Sequence, residues 1–303
     1  MSRYPMIARA VLAGMVCGGA GCSFDSPPAG GSGDDAAPDA PGAPPDVPIG
    51  AGRVTDGLVA YWRFDEGGGA QANDTRAALV GSPALPPIPL PISDPASVTW
   101  VPGGLQLNWP VRVGTPGSVH VDRDVLATGE VTLEAWVAPA STSQGAGTLP
   151  GNLPNYALVL SVSPSYAYHN AMIAQVGDRW QGRVLTSATT ANALPAIETP
   201  AGTIAGTGAA HLVMVASATD RVLYVNGTPH RAPEGAGIGP LNAPAPALRW
   251  FDYFPISIGQ ERDAASQNRP WLGTLWLAAI YSRALTADEV QQNLAASRDC
   301  PNC

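Results

Sequence analysis

The chain contains no lysine: in 303 residues, all 16 basic side chains are arginine. That absence excludes Schiff-base chemistry, lysine general bases and the phosphate-loop lysine together. Charged residues of both signs make up only 13% of the chain, and the formal net charge is −8. A basic patch able to neutralise phosphates has little material, which argues against nucleic acid as a partner. The four histidines, His120, His169, His211 and His230, form no His-x-x-x-His or His-Glu-x-x-His pair, so zinc hydrolysis has no support. No Gly-x-Ser-x-Gly elbow is present either, which removes the usual serine-hydrolase signature. What the chain has in excess is glycine and proline, 34 and 31 residues. Both break helix interiors, so the composition favours an all-β or partly disordered protein.

The charge divides the chain into zones. Residues 1–21 carry Arg3 and Arg9 and no acid, residues 22–52 carry five aspartates and no base, and the remainder carries 14 arginines against 19 acids. The first zone reads as a secretory signal peptide, with an apolar stretch from Ala10 to Cys17 and small residues before Cys22. That stretch is shorter than the ~20 apolar residues a membrane-spanning helix needs. Ala20-Gly21-Cys22 resembles the end of a bacterial lipobox, although Gly19 stands where an aliphatic residue is usual. The resemblance implies lipidation of Cys22, and Ser23 after it favours the outer membrane; ordinary secretion is the alternative. Residues 22–52, rich in Pro, Gly, Ala and Asp, cannot bury enough apolar surface to offset ordering entropy and are expected to form a disordered tether. Any membrane contact is then through the lipid anchor alone.

From residue 53 to 297 the pattern changes to short β-type runs between Gly, Pro, Asn and Asp clusters. Gly57–Phe64, Gly104–Trp109, Val119–Asp122, Val131–Val137, Tyr156–Val162, Arg183–Ser187, Leu212–Ala216, Val222–Val225, Ile256–Ile258 and Leu275–Tyr281 fit half-buried strands. Asn226-Gly227 predicts a hairpin turn, because both residues tolerate positive φ. A single helix is expected over Ala287–Ala296, where Thr286 and Glu289 form a capping box and Val290 and Leu294 share a face. Many short strands with one terminal helix describe an all-β sandwich or jelly roll.

The segments Gly57–Gly67, Val131–Val137, His211–Val215, Leu223–Gly227, Ile256–Gly259 and Gly273–Val290, in that order, resemble the signature series of the laminin-G-like, concanavalin A-like jelly-roll family. The resemblance implies two curved antiparallel sheets and binding of carbohydrate, protein or matrix. It also implies that calcium, a hard cation served by oxygen ligands, is a candidate structural ion at Asp65, Asp74 and Asp122; no other cofactor is required. Two departures count against that site: Leu107-Asn108-Trp109 replaces a common Phe-Asp-Gly, and Trp276-Leu277 a common Asp-Glu. Glucanases of this superfold resemble one another in a Glu-x-Asp-x-x-Glu strand, absent here. Glu130 and Glu134 lie four strand positions apart, ~13 Å, well beyond the ~5 Å of a retaining carboxylate pair. The chain therefore reads as non-catalytic.

Sugar rings pack on aromatic faces in shallow grooves. The candidate contacts are Trp180, Trp250, Tyr253 and Trp271, at or beside loops, with His169, which follows Tyr166 and Tyr168. Trp250-Phe251-Asp252-Tyr253-Phe254 is an aromatic cluster with two readings: exposed as a platform, or buried under the Pro-rich loop before it. The expected partner is a glycan; the alternative is another envelope or extracellular protein. Residues 298–303 end the chain with Cys300 and Cys303, which in an exported protein predict a local disulfide, with an intermolecular bridge or free thiols as the alternatives. The net charge conceals one further option: the 14 domain arginines can still assemble a local anion site.

Overall fold

The computed structural model describes residues 52–81, 85–149, 153–262 and 269–297. The signal peptide, the tether, Cys22, Cys300 and Cys303 lie outside them.

Two antiparallel sheets stack face to face. The eight-stranded sheet contains β1 (Leu58–Trp62), β4 (Val98–Val101), β5 (Gly104–Leu107), β7 (Val131–Pro139), β14 (Ala210–Ala216), β15 (Arg221–Val225), β16 (Thr228–His230) and β18 (Gly273–Tyr281). Its order is β16-β15-β14-β7-β18-β5-β4, with β1 paired to β18. The six-stranded sheet contains β6 (Val113–Ser118), β10 (Ala157–Val162), β11 (Ala171–Val176), β12 (Arg179–Val184), β13 (Ile197–Glu198) and β17 (Pro255–Ile258), ordered β13-β12-β11-β10-β17-β6. Two short ladders, β2 (Gln71–Ala72) with β3 (Leu90–Pro91) and β8 (Thr148–Leu149) with β9 (Leu153–Pro154), stand apart. Neighbours far apart in sequence, such as β7 between β14 and β18, give the jelly-roll crossing expected from the sequence.

Period-2 alternation fixes the faces. In β7, Val131, Leu133, Ala135 and Val137 enter the main core between the sheets, while Thr132, Glu134 and Trp136 face away. On β12 the core side carries Trp180 and Val184, and Gly182 lies between them. A Cβ at Gly182 would stand 2.5 Å from Met214 Sδ on the opposite sheet, so any larger residue would have to push that side chain aside. The outer face of the eight-stranded sheet is also buried. Val54, Leu58, Tyr61, Val213, Tyr224, Leu277, Tyr281 and Val290 form a second apolar cluster there, with Val290 supplied by α3 (Ala287–Ala296). Burial on both sides explains why β14 reads as a nearly continuous apolar run.

The predicted turn and cap form. Asn226 and Gly227 take φ of 49° and 76° between β15 and β16, and both capping-box bonds join Thr286 and Glu289. Three expectations are corrected. Val119–Asp122 is not a strand: α2 spans His120–Thr128, with Val121 and Val125 one helical turn apart in the main core and Gly129 closing it in the left-handed conformation. Two alternating residues are too few to distinguish period 2 from i, i+4. A further short helix, α1 (Arg76–Val80), makes three α-helices among the described residues, where one was expected. The strand placed at Arg183–Ser187 instead runs Arg179–Val184; just beyond it, Leu185 donates its N–H to the Asn170 carbonyl.

Candidate functional site

The outer face of the six-stranded sheet gathers the chemistry. Register places Arg183, Met172, Ser161 and Ser257 opposite one another on β12, β11, β10 and β17. Their sequence neighbours Val184, Ile173, Val162 and Ile258 belong to the core, so this row points outward. Polar side chains converge on that face from three connections: His169 from the β10–β11 loop, Asn192 from the β12–β13 loop, and Glu261 and Arg269 from the stretch between β17 and β18.

Glu261, fully buried, is the hub. Its Oε1 accepts from the Tyr156 hydroxyl at 2.7 Å and faces His169 Nε2 at 2.9 Å, while Oε2 accepts from the Ser163 hydroxyl at 3.1 Å. Arg269 donates to the Tyr156 hydroxyl at 2.9 Å. The guanidinium carbons of Arg183 and Arg269 lie 4.9 and 4.2 Å from the Tyr156 ring centre, within cation–π range. Arg183 donates through Nε to Gln181 at 2.8 Å and through Nη1 to Asn192 Oδ1 at 2.8 Å. Because arginine only donates, that Asn192 atom is the amide oxygen. His169 Nδ1 stands 2.7 Å from the same oxygen, and its Nε2 lies 2.9 Å from Glu261 Oε1 and 3.0 Å from the Tyr156 hydroxyl. The buried guanidinium groups of Arg183 and Arg269 and the His169 ring are thus gathered around Tyr156 and Glu261.

Burial alone raises the Glu261 pKa, but the His169 charge and the bonds from His169, Tyr156 and Ser163 outweigh it and hold the carboxyl below its ordinary range. Burial and the Glu261 charge push the Tyr156 phenol well above its ordinary value. A phenol so shifted is no nucleophile near neutrality, and a carboxylate engaged at both oxygens is a poor proton shuttle. Around this network, Tyr168 is 47% exposed and Tyr166 and Asn192 are half-buried.

The other aromatic candidates are placed differently. Trp250 and Trp271 are buried in the main core and use their indole N–H groups internally, on Asp122 at 2.9 Å and Gln175 at 3.0 Å. They present no face to a sugar, so their reading as contacts is corrected. Trp180 is also a core residue, although it lines a cleft of ≈ 160 Å³ with Thr203, Gly206, Gly208 and Asn226. Tyr253 is 59% exposed and packs edge-on against Phe251 and Phe254. The aromatic cluster therefore divides, with Trp250 and Phe254 inside and Tyr253 at the surface.

The three candidate calcium ligands do not assemble. Asp65 pairs with Arg63 at 3.1 Å, and Asp74 accepts the N–H groups of Tyr61, Arg76 and Ile88, tying β1 to the segment before β3. Asp122 is buried between Trp250 and Asn170, and desolvation raises its pKa to about 7. Among the described residues, no three His, Cys, Asp or Glu side chains are grouped to hold a metal. Carboxylates already bonded to protein donors have no convergence point to offer an ion.

Sequence reasoning named only His169 of the central network. Arg183 had a usable signal, since Gln181 and Arg183 occupy one face of a strand whose other face carries Trp180 and Val184. Tyr156, Asn192, Glu261 and Arg269 come from four separate places in the chain, and no local pattern joins them.

Comparison with known proteins gives one family. A model of the concanavalin A-like lectin/glucanases superfamily, Laminin_G_3, matches residues 113–291. No curated protein sequence matches the chain. Among solved structures, Trypanosoma rangeli sialidase in complex with the inhibitor DANA aligns with a TM-score of 0.54 at 19% identity, covering 84% of this chain and 35% of the sialidase. The binding domain of botulinum neurotoxin DC in complex with rat synaptotagmin II aligns at 0.50 and 10% identity, covering 80% of this chain and 52% of that one. The chain spans about a third of the sialidases and half of the toxin domain. At these identities the likeness is one of fold.

Proposed function

This chain belongs to the concanavalin A-like lectin/glucanases superfamily, and on that premise we propose that it is a non-catalytic carbohydrate-binding protein using the outer face of the six-stranded sheet. The observation that carries this reading is the buried network of Glu261, His169, Tyr156, Arg183 and Arg269 beneath Tyr166 and Tyr168. Polar groups fixed in orientation beside aromatic surface are what sugar recognition requires. Glu134, the one acidic residue with family-strand placement, supports a non-catalytic role: it is fully buried and accepts from Arg53, His211, Tyr281 and Asn293. The test is a glycan array probed with the full chain and with Tyr168→Ala. Binding is expected for the parent and a loss of at least tenfold for the variant; an array silent for the parent overturns the reading.

A second reading, recognition of an envelope or extracellular protein, draws on the toxin binding domain, whose solved complex is with a protein. Pull-down of one saturable protein partner with no glycan signal would favour it. The setting proposed for either activity is the bacterial cell envelope, with Cys22 lipidated at the outer membrane and residues 22–52 as tether, secretion being the alternative. Incorporation of a fatty-acid probe, lost in Cys22→Ala, tests the anchor; no incorporation in the parent rejects it.

A further inference from the structure

Trp180 differs from the other fully buried tryptophans. Trp62, Trp250 and Trp271 each donate the indole N–H to an acceptor inside the fold, at 2.7, 2.9 and 3.0 Å. The Trp180 N–H has no acceptor in the protein, and it is not one of the enclosed polar atoms that lack a partner. The residue is only 2% exposed, so that N–H reaches solvent through the opening it lines, the cleft of ≈ 160 Å³.

The cleft lies at one end of the sandwich. Trp180 is near the start of β12, Pro139 ends β7, Val225 ends β15, and the connection from β13 to β14 passes between them. That connection is tied to the turn before β12, where Asp178 accepts the N–H groups of Gly202 and Ile204 at 2.9 Å each. Beyond the tie, the backbone N–H and C=O groups of residues 205–208 take no partner from the protein, so they are left to water or a ligand. At the β15–β16 turn, Asn226 Oδ1 accepts the His211 N–H at 2.8 Å. That bond fixes the amide, and its Nδ2 donors have no partner in the protein.

These groups select a ligand by elimination. No charged side chain lines the cleft, so an ion entering it would lose hydration without gaining a counter-charge. An apolar ligand would cover the unspent N–H and C=O groups and leave them unbonded. Hydroxyls, each both donor and acceptor, can meet them, while Pro139, Ala210 and Val225 offer apolar surface to the C–H face of a sugar. At ~30 Å³ per water, ≈ 160 Å³ is the room of about five waters. That seats one sugar ring with its rim in solvent, and it is too little for an extended chain.

We infer that this cleft is a second saccharide subsite, which seats a single neutral pyranose ring as the terminal residue of a glycan. It is separate from the face under Tyr168. Tyr168 precedes β11 and the cleft adjoins the turn after it, so the six residues of β11 lie between them, ~20 Å at the rise of a strand.

The test follows the indole N–H signals of the full chain, labelled with nitrogen-15 at tryptophan, as methyl glucoside, methyl galactoside, methyl mannoside or methyl glucuronide is added. At least one neutral glycoside should shift the Trp180 signal saturably, and the glucuronide should bind at least tenfold more weakly. Gly208→Leu is the blocking variant: a Cβ there meets no atom within 4 Å and the residue is outside the left-handed region. It should leave the denaturation midpoint unchanged and weaken binding at least tenfold. Asn226→Gly, which tolerates the turn φ of 49° and deletes the amide, should weaken it roughly tenfold. Tyr168→Ala should leave the Trp180 response as in the parent, which separates failure of this inference from failure of the reading above. No shift with any neutral glycoside, or a shift that survives both cleft variants, overturns the inference; equal affinity for the glucuronide overturns the neutral ligand. A Trp180 indole N–H that exchanges with deuterium as slowly as those of Trp250 and Trp271 also overturns it, because that N–H would be sealed in the core.

Discussion

Glu134 and Glu261 are both fully buried on the outward side of a sheet, one on each half of the sandwich, and both are held below the ordinary carboxylate range. Their surroundings differ. Around Glu134, Arg53 and His211 bond one oxygen, Tyr281 and Asn293 the other. The His211 ring also stacks on Trp136, with ring centres 4.9 Å apart. The cluster also closes the domain, since Arg53 reaches the Ser297 carbonyl and Asn293 accepts the Val54 N–H, joining the first and last described segments. Around Glu261, Tyr156, His169 and Ser163 meet the carboxylate, and Arg183 in the same network leaves its Nη2 without a hydrogen-bond partner. The first cluster ties the ends of the domain together; the second joins the connections over one face of the other sheet.

The largest expected effects come from removing either hub. Glu261→Ala and Glu134→Ala each strip a buried carboxylate from its bonded partners, and each is expected to destabilise the domain by ~3–5 kcal/mol. Urea denaturation of both variants measures the loss. No measurable loss in either would show that its cluster does not hold the fold.

A smaller, pH-dependent effect sharpens the comparison through a third buried acid. Asp122 receives hydrogen bonds from the neutral donors Trp250 and Asn170, with no cation, and desolvation raises its pKa to about 7. Glu134, where burial is outweighed by Arg53 and His211, falls to about 2. The signs are opposite. The folded state holds the Asp122 proton longer than the unfolded chain does, so the Asp122 contribution is full below pH ~4 and is lost as pH rises through about 7. The Glu134 contribution is present above the ordinary glutamate value and is lost as pH falls toward about 2. Asp122→Asn should therefore raise stability by ~2–4 kcal/mol at pH 8 and change little at pH 4. Denaturation curves at the two pH values check this; equal effects at both would show that Asp122 does not titrate between them.

The legible part of the fold was the part written in local pattern. Alternation in Val131–Val137, the Asn226-Gly227 turn and the Thr286/Glu289 capping box each contain their own instruction, and each forms where expected. Val119–Asp122 failed because two alternating apolar residues fit either period, and the helix was decided by the burial of Val121 and Val125. The tryptophans failed as site markers for another reason. An aromatic beside a loop is equally suited to a groove or a core, and Trp250 and Trp271 were drawn inward by the Asp122 and Gln175 acceptors waiting there.

By itself the sequence determined a lysine-free, arginine-only chain with a two-sheet domain from residue 53 onward, because composition and period are local properties. Only the tertiary structure decided where the arginines gather. Tyr156, His169, Arg183, Asn192, Glu261 and Arg269 span more than a hundred residues, and they meet because strand register and three connections bring them onto one face. Net charge, a sum over the whole chain, cannot register that grouping; Coulomb interactions in a buried cluster depend on which charges are within a few ångströms of each other.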